Sequence, residues 1–145
     1  MKKLNLKEKA HFHLTGSTAL TEAGFKRFNN KELQKIKDIS PNVYRLAREC
    51  SGIQAHFMTD SKIIKVFVTC DRVPNMSNMV AVGQMGVDLY VYNERKKDYQ
   101  LCGVGRPLLN NKSYDGVLVE FDNKEMRKFI LNFPLYAEVK KASLA

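Results

Sequence analysis

Three histidines, three cysteines and an Asp-Ser pair are the residues through which this chain could perform acid–base, nucleophilic or metal chemistry. The segment "FMTDSK", residues 57–62, resembles a strand that leads to a nucleophilic serine at Ser61. Such a serine needs a base, usually histidine, and donors for an oxyanion. The sequence contains no Gly-Asp-Ser block and no Asp-x-x-His block, and a second strand-like segment follows Ser61. We therefore interpret Asp60-Ser61 as a β-turn and predict no catalytic residue in the chain.

The histidines are the candidates for metal binding. His11 and His13 would share a face if their segment is a strand, and two imidazoles can ligate one metal ion. A third ligand would have to come from elsewhere, and the spacing of His56 does not suggest it. We predict ordinary surface or half-buried histidines and no metal site. The glycines of "GVGRP" lack the context of a dinucleotide motif, so we predict no cofactor.

The least generic segment is "MVAVGQMGVDLYVYN", residues 79–93. Aliphatic residues alternate there with Asp88, Tyr90 and Tyr92, so a strand would place one acid and two phenols on the same face. An acceptor beside two flat amphipathic rings suits the binding of a sugar or of a polar partner. Two alternatives remain: the face docks another domain, or the residues are architecture, with Asp88 accepting from backbone donors of the preceding glycine loop.

The elements that would position these side chains are mostly strands. From Ile53 onwards, six or more short segments rich in β-branched residues are separated by turn residues, which favours an antiparallel β-sandwich or barrel. "VDLYVY" and "YQLCGVG" are predicted to form a hairpin across the polar loop "NERKKD". In the first 50 residues, "KELQKI" predicts a short helical turn, and "NVYRLAREC" a short helix before Ser51-Gly52.

Composition limits the class of protein further. A chain of 145 residues predicts one domain, residues 1–145, and 44% hydrophobic with 27% charged residues is typical of a globular protein rather than a disordered or membrane-spanning one. The net charge is +9, and residues 1–50 alone carry 11 Lys and Arg against 5 Asp and Glu. No groove-reading motif accompanies this charge, so we predict a solvated basic face and no nucleic-acid partner.

Cysteine use and the N-terminus bear on the compartment. Cys50, Cys70 and Cys102 are too few and too scattered for a disulfide framework, and we expect reduced, semi-buried thiols. The start "MKKLNLKEKAHFH" has no apolar stretch behind its lysines and does not read as a signal peptide. The protein is therefore expected either in the cytoplasm or exported with its leader removed.

Several spaced blocks together resemble a known family. "LARECSGIQAHFMTDSKIIKVFV", the run from "NMSNMV" through "GVDLYVY" to "GVGRP", and "FPLYAEV" are similar to the GxDLY domain that precedes the catalytic domain of bacterial GDSL/SGNH-type hydrolases. The resemblance covers about residues 42–145. Its Gly-x-Asp-Leu-Tyr signature lies at Gly86 to Tyr90, supported by "TDS" at Thr59 to Ser61 and "PLY" at Pro134 to Tyr136.

The resemblance implies a jelly-roll-like β-sandwich packed beside an α/β esterase domain that holds the catalytic Ser, Asp and His. The chain would then be a non-catalytic accessory domain, which docks on a C-terminal hydrolase domain of the same polypeptide and shapes a cleft for an acylated carbohydrate. Asp88, Tyr90 and Tyr92 are the predicted ligand-binding or interdomain residues. One alternative is a free-standing module that binds a glycan or a polyanion; another is a catalytic site around His56 and Cys50.

Overall fold

The computed structural model describes residues 2–17, 19–21 and 24–145, and strands dominate this part of the chain. The strands are β1 (Leu4–Asn5), β2 (His13–Thr15), β3 (Ala19–Thr21), β4 (Gly24–Lys26), β5 (Gln54–Thr59), β6 (Ile63–Cys70), β7 (Val87–Asn93), β8 (Asp98–Gly105), β9 (Ser113–Glu120), β10 (Arg127–Asn132) and β11 (Val139–Leu144). The helices are α1 (Asn30–Ile39), α2 (Pro41–Ala47) and α3 (Ala81–Met85). Not one of these helices has the length and apolar character needed to span a membrane.

Two antiparallel sheets enclose the hydrophobic core. One sheet has the strand order β1-β11-β6-β9, the other has the order β2-β5-β10-β7-β8, and β3 and β4 form a separate hairpin. From β5 onwards the chain crosses to the opposite sheet at every connection except the β7–β8 hairpin. Crossing between two packed antiparallel sheets in this way is typical of a β-sandwich. The predicted all-β antiparallel sandwich is confirmed.

The alternation of apolar and polar residues explains why β6 lies where it does. Ile64, Val66 and Val68 point into the core and are at most 3% exposed, whereas the residues between them face outwards. β-Branched residues pack well on a pleated surface of this kind. The predicted β7–β8 hairpin is also present, and its turn places Lys97 at a positive φ of 51°.

The helical segment near the N-terminus is longer than the sequence analysis predicted. α1 begins after Asn29, which forms a capping box with Glu32: the Asn29 side chain accepts from the Glu32 N–H, and the Glu32 side chain accepts from the Asn29 N–H. Pro41 cannot continue this helix, and it occupies the first turn of α2, where its missing N–H costs nothing. Ser40 ends α1 and caps α2, in the extended conformation expected of a residue before proline.

A close approach between α3 and the β7–β8 pair explains the first residue of the Gly-x-Asp-Leu-Tyr signature. A Cβ atom on Gly86 would lie 2.4 Å from the carbonyl oxygen of Val82 and 2.9 Å from that of Gly105. The Gly86 N–H donates to the same Val82 carbonyl at 2.9 Å and so closes the helix. The φ angle at Gly86 is −71°, which any residue can adopt. Glycine is therefore required here by the lack of space and not by the backbone conformation.

We therefore expect Gly86→Ala to destabilise the domain by about 1–3 kcal/mol, the usual cost of forcing an extra group into a packed interior. Gly116→Ala is the control, because a Cβ atom there meets nothing within 4 Å. That change should be neutral or stabilise the strand by up to about 1 kcal/mol, since glycine in a strand interior is unfavourable relative to alanine. Urea unfolding of both variants measures the difference, and equal midpoints would contradict the close approach.

Candidate functional site

The side of the five-stranded sheet that is turned away from the core, here called the outer face, carries the predicted site residues. β7 buries Val87 and Leu89, while Asp88, Tyr90 and Tyr92 lie half-buried on the opposite side. Strand register extends their positions into three cross-strand rows. The rows are Thr15–Gln54–Asn132–Asp88, then His13–His56–Ile130–Tyr90–Leu101, and finally Met58–Lys128–Tyr92–Tyr99.

The first row is a chain of polar side chains across four strands. Gln54 Nε2 donates to Asn132 Oδ1 at 2.8 Å, and Asn132 Nδ2 donates to Asp88 Oδ2 at 3.5 Å. Thr15 Oγ1 completes the row with a bond of 3.5 Å to Gln54 Oε1. An ionised carboxylate has about four acceptor positions, so the single long bond from Asn132 leaves Asp88 with unused capacity to accept.

Asp88 and Asn132 border a cleft of about 310 Å³ at the end of the sheet beside α3. Few side chains project into this cleft, because glycines form part of its wall. Its lining is Gly52, Ile53, Val82, Gly83, Gly86, Asp88, Asn132, Phe133 and Leu135. A carboxylate, an amide and exposed backbone at the bottom of such a cleft can hydrogen-bond the hydroxyl groups of a ligand or of a partner loop.

A buried glutamine holds the loop beside this cleft. Gln84 is 3% exposed, and its Oε1 accepts from the N–H groups of Asn75 and Met76 at 3.0 and 3.1 Å. The side-chain Nε2 of Gln84 donates to the backbone carbonyls of Met76 and Met79. The backbone carbonyl of Gln84 accepts from the Tyr136 N–H at 2.9 Å. Because every polar atom of the side chain is bonded, Gln84 fixes the loop and the "PLY" segment to α3.

The second row joins two histidines to an apolar strip. His13 and His56 are cross-strand neighbours with ring centroids 6.0 Å apart, and His56 Nε2 lies 3.2 Å from Thr15 Oγ1. Burial, and secondarily the neighbouring His13, lowers the pKa of His56 below its usual value. Tyr90 sits further along this row, between Ile130 and Leu101, and Leu101 is 56% exposed.

The third row is aromatic and basic. The Tyr92 and Tyr99 rings meet edge to face at 5.2 Å, and Lys128 Nζ lies 5.3 Å from the centre of the Tyr92 ring. The outer face thus grades from polar at Asp88 to apolar at Tyr90 and to aromatic and cationic at Tyr92. The sequence analysis grouped these three residues, and the structure places them on one face; their role in binding stays a prediction.

The structure also shows residues that the sequence analysis missed. Asn132 and Gln54 complete the polar row, and Tyr99 completes the aromatic pair. The alternation within "RKFILNF" marks Asn132 as outward-facing, but nothing local indicates that β10 pairs with β7. The expected acceptance by Asp88 from the glycine loop is not what is observed, since the bond described for this carboxylate comes from Asn132.

The other chemistry-bearing residues occupy ordinary positions. Ser61 belongs to the predicted turn: its Oγ accepts from Thr59 Oγ1 at 2.9 Å, and its N–H donates to the same oxygen at 3.1 Å. Burial raises the pKa of Cys50 to about 12, which disfavours the thiolate that a nucleophile needs. In the described part of the chain, no group of three or more His, Cys, Asp or Glu side chains is placed to hold a metal ion.

Two of the three cysteines are more deeply buried than predicted, whereas Cys102 is half-buried as expected. Cys50 and Cys70 are at most 2% exposed, and Cys102 in β8 is half-buried. Desolvation raises the pKa of Cys70 to about 12 and that of Cys102 to about 11. All three thiols are free, as expected. For Cys50 and Cys70 only the predicted degree of burial was wrong. A thiol behaves as a small apolar group and therefore packs readily in a core.

Two carboxylates are buried at the same end of the sandwich as the cleft. Glu49 and Glu138 are 4% and 3% exposed. Arg72 binds Glu49 at 3.0 Å, whereas Arg48 binds Glu138 and Lys140 contacts it at 2.7 Å. These pairs connect the end of α2 with the residues after β6 and before β11. Their partners are satisfied within the fold, so they support the cleft rather than present a site.

Comparison with known proteins identifies a family whose sequence model matches this chain. A family model described as GxDLY, the N-terminus of esterases of the SGNH-hydrolase type, matches residues 4–145. This extends the resemblance, which the sequence analysis had traced only from residue 42. No curated protein gives a significant match.

Two solved structures share the fold. A protein described as a GDSL-like lipase from Bacteroides ovatus ATCC 8483 superposes with a TM-score of 0.82 at 25% identity over 99% of this chain. The salicylyl-acyltransferase SsfX3 from a tetracycline biosynthetic pathway superposes with a TM-score of 0.72 at 15% identity over the whole chain. This chain spans 40% of the length of the first protein and 39% of the second.

Adjacent residues of β7 test the assignment of its two faces. Leu89 is fully buried, so Leu89→Ala should cost about 2–5 kcal/mol. Tyr90 lies half-buried on the outer face, and Tyr90→Ala should cost only about 1 kcal/mol. Thermal and urea unfolding of the two variants give the comparison. A collapse of stability in Tyr90→Ala would show that this tyrosine is architecture, and it could then not be tested as a binding residue.

A second prediction concerns catalysis. We expect no esterase activity above background from residues 1–145 on short acyl esters, because Ser61 is held in a turn by Thr59 and not by a histidine. Hydrolysis of a chromogenic acetate ester is the measurement, with Ser61→Ala and Thr59→Ala as matched variants. Turnover by the native chain that disappears in Ser61→Ala alone would overturn the prediction.

Proposed function

The chain belongs to the GxDLY family, the N-terminal part of SGNH-hydrolase-type esterases, and on that premise we propose that it is a non-catalytic accessory domain that docks through its outer face. Its partner is a C-terminal hydrolase domain of the same polypeptide. Docking completes one wall of the cleft in which that domain binds its substrate. The observation that carries the proposal is the outer face itself, where apolar, aromatic and polar rows lie side by side on a rigid sheet.

The apolar content of the outer face favours a protein partner. Met58 and Leu101 are each 56% exposed and flank the half-buried Ile130 and Tyr90. At the end next to the Asp88 cleft, Val80 is 71% and Leu135 is 49% exposed. Several exposed apolar side chains on one face are typical of interaction sites, whereas single exposed side chains are not informative.

The polar row defines what the accessory domain contributes to the shared cleft. The Asp88 carboxylate can accept further hydrogen bonds, and the surrounding glycines leave its cleft open. The hydroxyl groups of a sugar are donors that suit such a carboxylate, and the ring pair of Tyr92 and Tyr99 offers a flat surface for a pyranose. An acylated carbohydrate is therefore the substrate class that we propose for the assembled enzyme.

A second candidate function rests on the opposite sheet. Phe67 of β6 lies on the outward side there, with Lys3 Nζ 3.6 Å and Lys65 Nζ 5.0 Å from its ring centre. Lys3 and Phe67 line a depression on this surface, and Lys141 lines it as well. An aromatic ring among lysines suits an anionic polymer, so a free-standing polyanion-binding module is the alternative. Its affinity would fall steeply with salt, unlike that of a docking surface built on apolar contacts.

Leu101 provides the test of docking. Leu101→Ser should weaken association with the hydrolase domain by about tenfold, the effect of losing about 1.4 kcal/mol of binding free energy. Leu108→Ser is the control, because Leu108 is similarly exposed, at 59% against 56%, but lies beside the opposite sheet. The measurement is calorimetric titration of the separately expressed hydrolase domain with each variant.

Three outcomes separate the hypotheses. Weakening by Leu101→Ser alone supports docking through the outer face. Equal weakening by both variants, or by neither, contradicts that choice of surface. Absence of binding by the native chain, together with salt-sensitive binding to heparin, would favour the free-standing module.

A further inference from the structure

A second cavity is separate from the Asp88 cleft. It has a volume of about 740 Å³ and opens at the side of the sandwich where β2 begins. β2 pairs with β5 only at residues 54–56, so residues 57–59 have no strand beside them on this side. The opening leads inwards between the two sheets.

The inner wall of this cavity, here called the side cleft, is made of core residues. Phe12, Phe57, Ile64 and Leu144 all line it, and each is at most 9% exposed. Met58 and Ile63 continue this apolar surface towards the mouth, where they are 56% and 37% exposed. A ligand that enters between the sheets therefore meets aliphatic and aromatic groups, and it gains free energy in proportion to the apolar area that it buries.

The mouth of the side cleft is basic. Lys2, Lys9, His11 and His13 line it, and His56 lies at its border with the outer face. The lining contains no Asp or Glu side chain among the described residues. Lys2 and Lys9 supply positive charge at the mouth, and the imidazole rings can form hydrogen bonds with a ligand there.

We propose that the side cleft binds an amphiphilic carboxylate, a linear aliphatic acid anion whose chain enters between the sheets and whose carboxylate stays at the mouth with Lys2 and Lys9. An apolar interior and a basic mouth without acids complement the two ends of such a molecule. A cavity of several hundred Å³ is the size of ordinary ligand pockets. The side cleft shares His13, His56 and Met58 with the β2–β5 side of the outer face. Lys2 and Lys9 line only the side cleft and Leu101 lies only on the outer face, so variants at these positions let either proposal fail without the other.

The first test is a chain-length series. Acetate, hexanoate, octanoate and decanoate, each below its critical micelle concentration, are titrated into the isotope-labelled chain while amide resonances are recorded. Affinity should rise by up to about fourfold for each added methylene group, as expected from about 0.8 kcal/mol per buried CH₂. Saturable shifts should centre on residues 9–13 and 57–59. Octanol should bind more weakly than octanoate, and added salt should reduce this difference.

Matched variants test the two ends of the ligand separately. Lys2→Gln combined with Lys9→Gln should lower octanoate affinity by several-fold and leave octanol binding unchanged, since exposed charge pairs are each worth up to about 1 kcal/mol. The pair Lys96→Gln and Lys124→Gln, two exposed lysines outside the cleft lining, is the charge-matched control. Met58→Gln should reduce octanoate and octanol binding alike, whereas Met126→Gln, at a position 60% exposed outside the cleft, should change neither.

Several results would overturn the proposal. One is the absence of saturable shifts with decanoate; another is equal binding of octanol and octanoate, which would leave an apolar cavity without anion recognition. Shifts centred on Lys3 and Phe67 would place the anion on the opposite sheet instead.

Discussion

The close approach of α3 to the β7–β8 pair at Gly86 is the constraint on which this end of the molecule depends. With no side chain at position 86, the Val82 carbonyl of α3 and the Gly105 carbonyl of β8 both approach the space that a Cβ atom would fill, and the position of the helix against β8 is thereby fixed. Gln84 follows from this placement, because its side chain then reaches the loop of residues 75–79 and its backbone reaches Tyr136. Asp88 lies two residues after the glycine, so the same contact that closes the helix determines where the carboxylate stands.

Buried ion pairs at the α3 end of the sandwich help to select one packing arrangement of the connecting segments. Glu49 and Glu138 are surrounded by arginines from α2 and from the residues after β6, which tie the helical segment to the start of β11. Buried ion pairs add little net stability because desolvation offsets their attraction, but removing one partner is costly. They therefore favour one arrangement of the connecting segments over others. The opposite end of the sandwich is closed by polar turns, among them Asp60–Lys62 and residues 94–97.

Local patterns predicted most strands but not their neighbours. The alternation in β7 predicted both the strand and the faces of its side chains, because a period of two leaves no ambiguity once one face is buried, and the β-branched residues of β6 predicted that strand. The partners of Asp88 and His13 could not be predicted in this way, since Asn132 and His56 are brought close by sheet order, which depends on contacts between distant segments. The length of α1 was underestimated, because the capping box of Asn29 and Glu32 marks where a helix begins and not how far it extends.

The three thiols report on motions of the native state. Free cysteines react as thiolates, and burial raises the pKa of each one here, so alkylation requires the surrounding structure to open first. Cys102 belongs to an edge strand and is half-buried, so fraying of β8 is enough to expose it. Cys50 and Cys70 lie in the shared core and become accessible only when the sheets separate. Labelling rates at the three positions thus form a graded scale of local and global opening, without any introduced probe.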